Sequence, residues 1–153
     1  MKKQLLITAI VIALSSTAWA QDLTWRKDIK PVISAKCAVC HSAAAPDYWE
    51  WMQMEKRDKV GPRMDGYGSF MNYVVWPATG AMMRRLDDGK AGGGKAGNMY
   101  LYLGATDAER AQNLKAIKEW LGGDDAWFTN RWEARGKTPA VTKGQLEKIK
   151  AKY

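Results

Sequence analysis

Cys37, Cys40 and His41 stand as Cys-x-x-Cys-His, and they are all the cysteine and all the histidine in the 153 residues. Two thiols at this spacing can join the vinyl groups of a haem as thioethers, and the imidazole one residue on can reach the iron as the proximal ligand. No second imidazole exists, so a second iron ligand must be a methionine, a weaker side chain, water or a partner's residue. Other chemistries lack the parts. A structural zinc site needs about four thiolate or imidazole ligands. A thioredoxin-type Cys-x-x-Cys belongs in a βαβ setting that this chain does not display, and a plain disulfide leaves the adjacent histidine unexplained.

The remaining sequence must deliver this pentapeptide and cover the group it binds. Upstream, Asp28 is a candidate N-cap and Pro31 fits a first helical turn, where its missing N–H costs nothing, so a helix over 28–36 is expected to lead into the motif. Downstream, residues 42–80 mix short helical stretches with Gly and Pro, and one helix is expected over 48–59. The strongest helical pattern is Thr106–Leu121. Thr106 and Glu109 form a capping box, Leu114, Ile117, Trp120 and Leu121 share a face, and Gly122-Gly123 is the stop. Beyond it Trp127, Phe128 and Trp132 form an aromatic extension, and a final short helix is expected over 142–152. Period-two alternation is scarce, so the fold class is all-α.

The N-terminus carries Lys2 and Lys3, an apolar run over 5–14 and Ala18-Trp19-Ala20, which together read as a cleaved export signal over 1–20. The run is shorter than the roughly 18–20 residues that span a bilayer. Export places the protein in the periplasm, with no transmembrane segment after cleavage. The full chain has 24 Lys and Arg, 16 Asp and Glu and a formal charge of +8, and losing 20 residues with two lysines leaves 133 residues at about +6. A basic excess of this kind suits acidic or membrane-associated redox partner proteins. Nucleic acid is not expected, because the basic residues are scattered among acids. The stretch 89–97 matches G-x-G-x-x-G and nearly a phosphate loop, yet Ala96 stands where Ser or Thr would be needed and no strand precedes it. It reads as a surface loop, so no nucleotide is expected.

From Asp28 to Gly122 the chain resembles the class I c-type cytochromes. The resemblance rests on a helix into Cys37-Ala38-Val39-Cys40-His41, the Gly61-Pro62 step in the next loop, and a last helix with Leu114, Ile117 and Trp120. It implies a cytochrome c-like haem domain over 21–123, with small helices and long loops wrapped around one covalent haem c, followed by an extension over 124–153 that packs on the domain or docks beside it. It also implies that the proximal imidazole donates to a backbone carbonyl, that of Pro62, with Pro46 as the fallback. The family's distal methionine stands about seven residues before the N-cap of the last helix, and Met99 stands seven before Thr106. The family usually follows that methionine with proline, whereas Tyr100 follows here, and Met82 and Met83 are rivals. Arg84 and Arg85 are candidate propionate partners. The function implied is one-electron transfer, not enzyme catalysis, with a haem enzyme or gas sensor having an open sixth position, or an electron-transfer subunit of a larger respiratory complex, as alternatives.

Overall fold

A computed structural model describes residues 22–55, 59–90, 94–128 and 141–153. The export signal and Trp132 lie outside them. Among the described residues the regular elements are all helices, joined by turns and irregular chain, and the one extended pairing is an isolated parallel bridge, Thr24 to Lys152. A π-helical turn, Trp25–Ile29, runs into α1, Lys30–Lys36. α2, Ala38–His41, carries the end of the haem motif, and α3, α4 and α5 span Tyr48–Gln53, Tyr67–Met71 and Ala81–Leu86. A 3-10 turn, Tyr100–Leu103, leads to α6, Asp107–Leu121. Another, Asp124–Ala126, opens the tail, which ends with α7, Lys143–Leu146.

The first helix begins one turn earlier than its sequence suggests. Thr24, not Asp28, is the N-cap, accepting from Lys27 N at 3.2 Å, while the Asp28 carboxylate accepts from Thr24 N at 2.7 Å. The wide π turn lies just ahead of Pro31, whose ring can give no N–H to the carbonyl four residues back. Its effect is to place Trp25, Ile29 and Ile33 on one buried stripe.

That stripe packs on α6. Leu114, Ile117, Trp120 and Leu121 are the buried residues of α6, as their spacing requires. Thr106 caps it, accepting from Glu109 N at 3.2 Å, and the Glu109 carboxylate reaches back to accept from Ala105 N at 2.6 Å. Gly122 ends it at φ 122°. Glycine is needed there twice over, because a Cβ would also stand 2.4 Å from the Lys148 carbonyl oxygen of the passing tail.

The tail joins the same core. Trp127 and Phe128 are buried, and Trp127 Nε1 donates to buried Asp87 just beyond α5 at 3.2 Å. At the chain's end the Lys152 carbonyl accepts from Trp25 N at 2.8 Å and from Trp120 Nε1 at 2.7 Å, so it clasps the first helix to the last. Tyr67 Oη donates to the Ala151 carbonyl at 3.1 Å. The expected helix over 142–152 is therefore only four residues long. The chain leaves it because backbone groups at 150–152 bond to Leu121, Tyr67, Trp25 and Trp120 instead of to one another. Likewise α3, capped by Asp47 on Glu50 N at 2.9 Å, stops at Gln53, where Met54 turns extended.

Candidate haem site

Cys37 is the hinge of the site. It closes α1, its N–H bonded to Ile33 O at 2.9 Å, and its own carbonyl accepts from Cys40 N at 3.2 Å and His41 N at 2.9 Å. This tight turn puts Cys40 and His41 on α2 and exposes Val39 almost completely. The chain turns extended at Ser42 and comes back beside the histidine, where Arg63 N donates to Pro46 O at 2.8 Å and Met64 N to His41 O at 2.9 Å. The returning strand of chain brings Pro62 O to 2.6 Å from His41 Nδ1. A proline carbonyl can only accept, so Nδ1 carries the proton and the Nε2 lone pair is the one left to bind a metal.

Gly61 makes that approach possible. A Cβ there would lie 2.6 Å from His41 Cε1, 2.8 Å from Nδ1 and 2.9 Å from the Cys40 carbonyl oxygen, so the peptide backbone lies directly against the imidazole. The Gly61 backbone and the Pro62 carbonyl both meet the ring at its Nδ1 edge and together hold it in place. Cys37 and Cys40 are not joined to each other as a disulfide. Burial, and secondly the charge of Cys40, pushes the Cys37 thiol up to about 11. Redox-active Cys-x-x-Cys pairs need the opposite, a thiol pushed below its ordinary value. The donor set and cradle thus fit haem c and not a dithiol redox centre. Among the described residues no cluster of three His, Cys, Asp or Glu is arranged to hold a separate metal ion.

The methionines separate by packing. Met83 is 0% and Met82 6% exposed, both within the core formed around α5 and α6, whereas Met99 is half-buried at its margin. Met99 opens the 3-10 turn that contacts both α1 and α5. Its position is bolted from behind, since Met99 N donates to Arg85 O at 3.0 Å and Gly97 N to Asp87 O at 2.6 Å. A Cβ on Gly97 would clash with Arg85 O, so the glycine-rich stretch ends in a close backbone contact. Arg84 Nη1 donates to the Thr79 carbonyl at 3.1 Å and Arg85 Nη1 to Asn98 Oδ1 at 2.9 Å. Desolvation, and then Arg85, lowers the Arg84 pKa.

Sequence reasoning passed over two residues. The Gly61-Pro62 step was legible, but not that Gly61 itself presses on the imidazole. Tyr73, buried with its hydroxyl unpartnered among the described residues, gave no signal at all.

The profile of the PccH cytochrome c family matches residues 24–153. The structure of monohaem cytochrome PccH from Geobacter sulfurreducens superposes with a TM-score of 0.71 at 44% sequence identity, covering 86% of this chain and 99% of that one. No curated protein matches. No helix among the described residues is long and apolar enough to cross a membrane. With a family match over all but the first 23 residues and a helical fold shared with a solved relative, the chain belongs to the PccH cytochrome c family, monohaem electron carriers of cytochrome c-like fold with one covalently bound haem c.

Proposed function

We propose that this protein is an exported periplasmic cytochrome in which Cys37 and Cys40 hold the haem as thioethers, His41 is the proximal iron ligand and Met99 the distal one. The observation that carries this reading is the 2.6 Å contact of His41 Nδ1 with Pro62 O. Such a bond leaves Nε2 for iron, strengthens the imidazole as a donor and keeps its plane fixed through a change of oxidation state. Haem supplies the one-electron chemistry, and His/Met ligation favours a higher potential than two imidazoles would.

Met99 is preferred on packing and spacing together. A thioether already enclosed by protein on every side, as in Met83, has no face to offer, while Met99 keeps one and sits on a turn that touches the helix leading into the motif. Its backbone is anchored to α5, so the ligand is held by the fold and not by the iron bond alone. Arg84 and Arg85 lie on the same helix that anchors Met99 and would offer positive charge to the propionates. The basic surface suits acidic partners.

The direct test is chemical. Acidified acetone should leave the colour on the purified protein, and a proteolytic peptide containing residues 37–41 should carry the mass of one haem. Haem that extracts, or a Cys37–Cys40 disulfide in that peptide, would refute the attachment. Carbon monoxide should not bind readily to the reduced protein, and ready binding would favour the open-site enzyme or sensor.

A further inference from the structure

Asp87 is the one buried charged residue among those described, 1% exposed, and the chain leaves α5 there. Taking a carboxylate out of water is costly unless donors replace the water. Both of its oxygens have one. Oδ1 accepts from Trp127 Nε1 at 3.2 Å and Oδ2 from Gly89 N at 3.0 Å, an arrangement that two acceptor oxygens satisfy and an amide side chain does not. The Asp87 backbone carbonyl accepts again, from Gly97 N at 2.6 Å, and its N–H donates to Met83 O at 2.9 Å. One residue therefore joins α5, the aromatic tail and both ends of the glycine-rich stretch 89–97.

The segment it gathers is the one that carries Met99. Gly97 N is bonded to Asp87 O, Met99 N to Arg85 O at 3.0 Å and Tyr100 N to Gly97 O at 3.1 Å, so residues 97–100 hang from residues 85 and 87. Since α5 ends at Leu86, the helix does not by itself fix where the Asp87 carbonyl points. The tail does. Trp127 is buried, its ring lies 5.5 Å from Lys118 Nζ of α6, and its indole N–H reaches the Asp87 carboxylate. An apolar residue of similar size at position 87 would avoid the cost of burying a charge, so what distinguishes the carboxylate is what it holds in place.

We infer that Asp87 is a positioning residue for the distal iron ligand and that Trp127 locks it: the buried carboxylate ties residues 97–100, and through them Met99, to the aromatic tail. The inference rests on Met99 ligating the iron as proposed above. It gives the tail a part in the redox site, the strength of the distal bond, besides its part in the core.

The test is displacement of the distal ligand in the oxidised holoprotein by imidazole, which takes the sixth position when the methionine swings away, followed at the near-infrared band of methionine-bound haem. Asp87→Ala removes both side-chain acceptors, Asp87→Asn keeps one, and Trp127→Phe keeps an aromatic ring without the donor. Asp87→Ala should bind imidazole about tenfold more tightly than the wild type, the factor that a hydrogen bond to a buried charged group carries, and the other two should bind it more tightly by smaller factors. Adding Trp127→Phe to Asp87→Ala should change the affinity little further, because the two residues share one bond. Ile29→Ala, which opens a cavity in the core at the first helix, should lower the thermal midpoint and leave imidazole binding as in the wild type. Wild-type affinity in Asp87→Ala and Trp127→Phe, or an equal gain in Ile29→Ala, overturns the inference and makes Asp87 a general stabiliser. Should Asp87→Ala fail to take up haem, Asp87→Asn and Trp127→Phe decide by the same criterion. A wild type without the band, or a band kept in Met99→Ala, would instead defeat the ligand assignment underneath.

Discussion

At Gly61 the backbone lies so close to the His41 imidazole that a methyl group would collide with both the ring and the Cys40 carbonyl. Gly61→Ala is therefore expected to tilt the ring off Pro62 O, lowering the yield of holoprotein and shifting the reduction potential of what forms. Unaltered yield and potential, measured by absorbance and redox titration, would show that the cradle is slack. A second test concerns Glu109, whose hydrogen bond to Lys36, the residue before Cys37, holds its carboxyl below the ordinary value of 4.5, helped by the Ala105 amide. A depressed carboxyl pKa gives stability that is full above the ordinary value and fades as the pH falls through the folded-state value. The thermal midpoint of the wild type should thus exceed that of Glu109→Gln near neutrality, with the gap closing in acid. A gap of constant size down to about pH 3 would contradict the linkage. At this scale the cofactor was legible in the sequence, since Cys-x-x-Cys-His admits few other uses. The sequence did not reveal Tyr73, because whether a hydroxyl lacks a partner depends on everything that folds around it.

Among the elements, α6 was the most legible, with its cap at Thr106, its apolar face and its glycine stop all in the places their chemistry demands. Thr106→Ala should cost about 1 kcal/mol by chemical denaturation, as loss of an N-cap usually does. Ile117→Ala should cost about 2–5 kcal/mol, because Ile117 is fully buried in the core. A smaller loss for Ile117→Ala than for Thr106→Ala would place the core elsewhere. The first and last helices were misjudged at their ends for opposite reasons. Asp28 looked like a cap because a carboxylate ahead of Pro31 usually is one, whereas Thr24 caps the chain and Asp28 folds back onto Thr24 N. The helix after Thr142 stops after Leu146 because distant partners, Leu121, Tyr67, Trp25 and Trp120, take the later carbonyls and amides, and no local pattern encodes that.

For the molecule as a whole, the tail is part of the core and lies within the stretch that the family matches. Burying Trp127 and Phe128 is worth roughly 1.5–3 kcal/mol each, and the Lys152 carbonyl holds two tryptophans of the first and last helices. Truncation after Gly123 should lower the thermal midpoint substantially and impair haem incorporation, and an unchanged midpoint would make the tail a docking segment instead. The same long-range closure brings Met99, 58 residues beyond His41 in the chain, to a turn against α1, and we propose it there as the second iron ligand. The most direct measurement of this account is the weak band at the near-infrared edge that methionine bonding gives to oxidised haem. The wild type should show it, Met99→Ala should abolish it, and Met82→Ala and Met83→Ala should retain it. A band lost in Met82→Ala or Met83→Ala but kept in Met99→Ala would contradict the assignment, as would its absence from the wild type.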